Sequence, residues 1–487
     1  MTSSPPIHFR TAVELGKLLR KRKLGSRELL DVCWRRYEAC NPRLNAVIAT
    51  DIRRARRAAD ASDRRLKRGE TRGPFEGVPM TIKESFDWKG TPSTWGAPQY
   101  RDNIAKTDAV AVERMAAGGA VIYGKTNVPL MLADWQSFND IYGTTNNPWD
   151  VTRAPGGSSG GAAVALATGM AALEIGSDIG ASIRNPAHYC GVYGHKPTYG
   201  IVPMRGHYLP GVFAPSDISV AGPLARSAGD LALAMKLLAG PDELEAAVSL
   251  YRLAPPRHDK LKDFRIAVML NSEVSDVDQP VQDLIADLAR WLEPRVRKLS
   301  MTARPAFSAS EAWDVYVKLL RSATSRRQSD EEFLANLKKA RELDPSDQSY
   351  YARMLRAYTM SHRDWLGVNH RRHALKLLWQ EFFADYDVLL CPPAASAAFP
   401  HDHEGERHER EIIVNGKYVP TVDQLFWAGY SGAFYLPSTV APIGLTPSRL
   451  PVGVQIIAPL HGDLTSIRFA GLIERDYCAF TPPPAFP

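Results

Sequence analysis

Two groups of serines, each bedded in glycine, are the side chains in this chain best suited to attack a carbonyl carbon. Ser158 and Ser159 lie in Pro155-Gly156-Gly157-Ser158-Ser159-Gly160-Gly161, and Ser182 follows Gly180-Ala181. Glycine lets the backbone adopt conformations that other residues resist, and lets its N–H groups turn toward a ligand. A serine held this way suits nucleophilic chemistry, with neighbouring N–H groups taking up charge on oxygen. Between the clusters, Gly160 to Ala172 is almost free of bulky residues and reads as a helix that packs tightly and brings the two loops together. Lys83 ends a short apolar strand, Gly77 to Ile82. A lysine in that place is ordinarily an exposed cap.

Three other chemistries are formally available and are set aside. Gly119-x-x-x-x-Gly124-Lys125-Thr126 fits a phosphate-binding loop, but its middle residues, Ala-Val-Ile-Tyr, read as a strand and Pro129 interrupts the helix that should follow. Gly156-x-Ser158-x-Gly160 fits a nucleophile elbow, which must follow a strand; here it follows the loop-like Asn147 to Pro155. His401, His403 and His408 share a charged segment with Asp402 and Glu404, in no recognisable zinc spacing. A solvated loop accounts for them, and neither a metal nor another cofactor is expected.

The positioning elements follow from periodicity. Residues 11–37 predict two amphipathic helices, with Leu15, Leu18 and Leu19 lining the first. Ser26 caps the second, whose stripe is Leu29, Leu30, Cys33 and Tyr37. A third helix over 50–68 buries Ile52, Ala55, Ala59, Ser62 and Leu66, leaving a run of arginines outside. A helix over 108–117 and a strand over 120–123 follow. Phe264 to Leu270 reads as a strand and Val281 to Leu292 as a helix. Helices over 310–320, 330–340 and 361–383 form a cap, 387–391 is a buried strand, and 412–419 is a hairpin turning at Asn415-Gly416.

The 487 residues are 45% hydrophobic and 23% charged, enough for a large core. The net charge of +7 comes largely from the arginines of residues 53–68. No aromatic residue is interleaved there to stack on bases, so a solvated face is the reading and nucleic acid is not an expected partner. Five scattered cysteines, without Cys-x-x-Cys, fit reduced thiols and a cytoplasmic protein. Residues 1–9 lack the features of a signal peptide, and no apolar run is long enough to span a membrane.

The serine block resembles the signature of the amidase signature family. The match covers Gly-Gly-Ser-Ser-Gly-Gly, then Ser177-Asp178-Ile179-Gly180-Ala181-Ser182-Ile183-Arg184-Asn185-Pro186-Ala187, then Gly191-Val-Tyr-Gly-His-Lys-Pro-Thr198. It extends to Gly77-Val78-Pro79-x-x-x-Lys83, Gly124-Lys125-Thr126-Asn127, Tyr142 to Pro148 and Leu450 to Gln455, while residues 250–435 match weakly. The resemblance implies an α/β fold whose central mixed sheet is covered by helices on both faces. It implies one domain over 1–487: N-terminal helices at 1–70, the catalytic core at 75–250, a helical cap at 300–435 and a return to the core at 436–487. It assigns Ser182 as nucleophile, Ser158 as bridging serine after a cis peptide bond, and Lys83 as base. It places the oxyanion hole at the N–H groups of Ile179, Gly180, Ala181 and Ser182. Ser159, Gly156, Gly157, Asp178 and Arg184 support the site, the last two as structural partners. Two departures stand out. Ala181 occupies a place where the family has glycine, so its methyl is expected to restrict the backbone and crowd the acyl pocket. Ser177 replaces a commoner threonine.

The activity implied is hydrolysis of a small-molecule amide through an acyl-enzyme, with esters and carbamates as side substrates. Aromatic residues near the motifs suggest a pocket of Trp135, Tyr142, Gly143, Thr144, Trp427 and Tyr430, suited to neutral hydrophobic or aryl amides. Two alternatives stand beside this: a glutaminase subunit of a tRNA-dependent amidotransferase, and a non-catalytic binding protein on the same scaffold. A homodimer is left open.

Overall fold

The computed structural model describes residues 5–487. Its first two long helices form at Ala12–Arg20 and Ser26–Leu44. Thr11 and Glu14 close the start of the first by reciprocal capping. Ser26 does not cap the second. Gly25 holds that place, and the Ser26 and Arg27 N–H groups donate to the Asp63 carboxylate of the third helix, Ile52–Lys67. The Ser26 hydroxyl is thereby released to donate to the Gly77 carbonyl at 2.9 Å, fastening the helix to the segment that carries Lys83. The third helix buries Ala55, Ala59, Ser62 and Leu66, while Arg56 and Arg65 pair with Asp31 and Glu76.

Two sheets position the serines. A small one is ordered β1 (Val47–Thr50), β3 (Val121–Thr126), β2 (Pro79–Lys83), with β2 parallel to β3. The larger has eight strands: β4 (Leu173–Asp178), β5 (Tyr193–Lys196), β6 (Val220–Ala225), β7 (Arg265–Val268), β8 (Lys298–Ser300), β9 (Val388–Cys391), β10 (Ser438–Leu445) and β11 (Pro451–Ile457). Their order is β8-β7-β9-β11-β10-β5-β6-β4, parallel from β8 to β9 and antiparallel elsewhere. Every residue of β4, β9 and β11 is buried. Successive side chains point to opposite faces, so the sheet is covered on both. The strand β2 packs against β4, which brings Lys83 beside the serine turn.

The small-residue helix is shorter than its composition suggests, Gly160–Ala167. Gly169 takes a left-handed φ of 72°, the chain turns, and β4 begins at Leu173. Val121–Thr126 is a strand, and the chain from Thr145 to Pro155 is not, so neither the phosphate loop nor the nucleophile elbow has its framework. Four long helices, Ala309–Thr324, Asp330–Glu342, Tyr350–Tyr358 and His362–Asp385, occupy the region expected to be helical. The hairpin Glu411–Val414 with Lys417–Pro420 turns at Asn415-Gly416, both with positive φ.

Candidate active site

Lys83 is fully buried at the end of β2. Its Nζ lies 2.6 Å from Ser158 Oγ and 2.9 Å from Ser177 Oγ. Burial strips the ammonium of water and brings the lysine down to about 7, against the pull of Asp178 and with the help of the Arg327 charge. Two nearby carboxyls do not overcome this effect of burial. Glu174 is pushed up to about 8 by burial, and Asp178 is spent on Arg184.

The Ser158 loop is shaped by close approach. The Gly157–Ser158 peptide bond is cis, and Gly156 has a φ of 86°. A Cβ on Gly157 would stand 2.3 Å from the Asp134 carbonyl oxygen, so no larger residue fits. The Gly157 N–H donates to Asn185 Oδ1 at 3.2 Å. The Ser159 N–H donates to the Ser182 carbonyl at 3.0 Å, tying the two serine segments together.

The Ser182 turn is built around the Asp178 carboxylate. It accepts from the N–H groups of Ala181 and Ile183 at 3.0 Å each, and from Arg184 Nε at 3.0 Å and Nη2 at 2.8 Å. Burial opposes its charge most strongly, but the Arg184 guanidinium, together with Lys196 and the Ile183 N–H, keeps the carboxyl below its ordinary range. Arg184 is anchored in turn by Ala428, Ser431 and Gln455. Tyr316 donates its hydroxyl to the Ile179 carbonyl at 3.1 Å, and Trp135 its indole N–H to the Gly180 carbonyl at 2.7 Å. Among the described residues, the N–H groups of Ile179, Gly180 and Ser182 donate to no protein acceptor, whereas that of Ala181 is committed to Asp178. Of the four N–H groups expected to form an oxyanion hole, three are therefore free to donate. Ala181 has a left-handed φ of 67°, is wholly buried in the hydrophobic core and does not line the cavities beside Ser182.

Ser182 stands where two chambers meet. One, of about 600 Å³, is lined by Ser158, Ser177 and Ser182 and by apolar walls including Trp95, Met204, Val212 and Trp365. The other, of about 910 Å³, carries many charges, among them Arg321, Arg407 and Arg410. Leu132, Ile179, Ser182 and Arg327 belong to both.

Most of the aromatic pocket expected from sequence lies elsewhere. Trp135 borders the second chamber but acts by holding Gly180. The carbonyls of Tyr142 and Thr144 accept from Asn45, and that of Gly143 from Asn127, so this segment braces the loop behind the site. Trp427 is fully buried, and Tyr430 packs edge-on against Trp379 at 5.2 Å. Tyr142, Gly143, Thr144, Trp427 and Tyr430 line neither chamber. Large rings near a motif went to the core, where apolar area is best hidden. The walls come instead from residues 204–219, 322–327 and 360–365. Ser177 carried a signal, its place in the motif. Tyr316 and Arg327 carried none.

The three histidines do not converge on one point: the His401 and His403 rings meet edge-on at 5.3 Å, with His401 also bonded to Asn146 and His403 stacked on Phe138, while His408 stacks on Tyr351. Among the described residues, no three His, Cys, Asp or Glu side chains are grouped to hold a metal ion, no cysteine forms a disulfide, and no helix is long and apolar enough to cross a membrane.

The Amidase family model matches residues 28–465. The chain is 31% identical to an acylamidase of Rhodococcus erythropolis over 96% of its own length and 95% of that protein's. It is also 31% identical to a glutamyl-tRNA(Gln) amidotransferase component of Anaeromyxobacter sp. (strain K), over 97% of each chain. The crystal structure of a bacterial aryl acylamidase superposes with a TM-score of 0.80 at 26% identity, over 97% of each chain.

Proposed function

The chain belongs to the amidase signature family of amide C–N hydrolases, and from that premise we propose that Ser182, Ser158 and Lys83 are its catalytic residues and that its substrates carry a hydrophobic or aryl acyl group. The observation that carries this is the buried Lys83 Nζ, 2.6 Å from Ser158 Oγ and brought to about 7 by its surroundings. A neutral lysine accepts a proton. Ser182 attacks the amide carbon while its proton passes to Ser158, and that of Ser158 to Lys83. The N–H groups of Ile179, Gly180 and Ser182 take up the oxyanion. Collapse breaks the C–N bond, and the departing nitrogen takes a proton back through Ser158. Water then attacks the Ser182 ester, its proton entering the same relay, and the free acid leaves. Ser177, at 2.9 Å from Lys83 Nζ, orients the base.

The apolar walls of the smaller chamber support a hydrophobic or aryl acyl group there. Aryl esters and urethanes, cleaved by the same acyl-enzyme, are side substrates. The likeness to an amidotransferase component keeps a glutaminase reading as the competitor. The two separate in one assay of the purified single chain on phenylacetanilide, phenylacetamide and glutamine. Hydrolysis of the aryl amides without any partner protein, abolished by Ser182→Ala, is expected. Inactivity on them, with glutamine hydrolysis appearing only when a partner protein is added, would select the glutaminase.

A further inference from the structure

The second chamber holds cations that take no part in the proton relay. Arg407 donates Nη1 to the Ala133 carbonyl at 3.1 Å and lies over the Trp135 ring, yet its Nε and Nη2 are buried with no partner. Those two atoms form the side-on edge that arginine offers to carboxylates. In this protein Arg184 uses that edge on Asp178, and Arg265 uses it on Asp387. Arg327, on the wall shared by both chambers, donates Nη1 to the Met131 carbonyl at 2.9 Å. Among the described residues, neither Arg407 nor Arg327 forms an ion pair.

The acidic residues of the chamber are otherwise engaged or turned outward. Asp134 pairs with Arg410. Glu332 caps its helix through the Ser329 N–H, Glu409 accepts from the Glu406 N–H, and Glu406 and Glu409 are exposed. Arg321 is held by the hydroxyls of Tyr350 and Tyr358. Leaving a buried guanidinium edge unsatisfied is costly, and a bidentate carboxylate is its best-matched partner.

We propose that this chamber receives a leaving amine that carries a carboxylate, held by Arg407 and Arg327, so that the preferred substrates are N-acyl amino acids with an apolar acyl group. The inference rests on the acyl-enzyme reading above, with the acyl group in the apolar chamber and the amine in the charged one. In such a substrate the amide C–N bond breaks, the nitrogen gains a proton through Ser158, and water supplies the hydroxyl of the released acid. The other product is the free amino acid.

The test compares N-(phenylacetyl)glycine with its uncharged counterpart N-(phenylacetyl)glycinamide. Binding of each to the Ser182→Ala protein is measured by titration calorimetry, and kcat and KM are measured on the wild type in parallel. The carboxylate is expected to bind about tenfold tighter or more, the size of one charge-assisted pair, and to show the gain in KM. Adding Arg407→Gln or Arg327→Gln should shrink that ratio. Arg407→Lys, which keeps the charge and loses the fork, should fall between. Equal or tighter binding of the carboxamide, or a preference that survives both glutamine variants, would overturn the proposal. Hydrolysis of both compounds without preference would sink this inference alone. Arginine-dependent binding without any hydrolysis would leave the anion site standing and remove the hydrolase reading.

Discussion

Lys83 is fully buried, in surroundings that strip its ammonium of water. An exposed lysine holds its proton to about 10.4, whereas burial brings this one to about 7. Between those values the unfolded chain binds the proton and the folded chain does not, so this group's contribution to stability rises with pH across that window and is a penalty below it. Lys83→Met should therefore melt no lower than the wild type near neutral pH while losing about 10²–10⁴-fold in turnover. A marked fall in melting temperature would mean that the lysine supports the fold. The Arg327 charge pushes Lys83 the same way as burial does. Arg327→Gln should accordingly move the rising limb of kcat against pH to more alkaline values, and an unmoved limb would show that the two groups do not sense each other. The serines and the lysine were legible because their motif fixes them. Arg327 was not, because one arginine in a weakly matching stretch has no pattern until the fold sets it beside Ser182.

The elements show where packing overrode local reading. Ser26 looked like a helix cap, but Asp63 from the next helix reaches the N–H groups first. Trp427 and Tyr430 looked like pocket walls, but rings of that size are drawn into the core. The turn Asp178 to Arg184 is the most constrained element at the site, and two predictions belong to it. Ala181 sits at a φ of 67°, where an L side chain costs roughly 1 kcal/mol. Ala181→Gly should raise the melting temperature slightly and leave the ratio of specificity constants for acetyl and benzoyl anilides unchanged, since the methyl does not line either chamber. A lower melting temperature, or a changed ratio, would contradict this placement. Asp178→Asn would leave Arg184 buried without its charge partner, at a cost of about 3–5 kcal/mol. Loss of soluble protein is expected, and a variant of wild-type stability would show that the clamp is dispensable.

At the scale of the molecule, the proposed catalytic residues lie between positions 83 and 182, and the chamber walls are drawn from much more of the chain. Residues 83, 158, 177 and 182 converge because β2 packs on β4. The walls of the chambers come from loops and helices more than a hundred residues apart in the chain, such as Met204 and Trp365. Periodicity says which face of a helix is buried, not against what, so the chambers were illegible where the motif was plain.

The central claim is that Ser182 is activated through Ser158 by a buried, neutral Lys83. The rate of fluorophosphonate labelling between about pH 5.5 and 9.5, with the labelled peptide identified by mass spectrometry, tests it most directly. The label should fall on Ser182 and the wild-type rate should rise with a midpoint near 7, following Lys83. In Lys83→Met the rate should be low and lack that rise. A label on another serine, or superimposable curves for the wild type and Lys83→Met, would contradict the account.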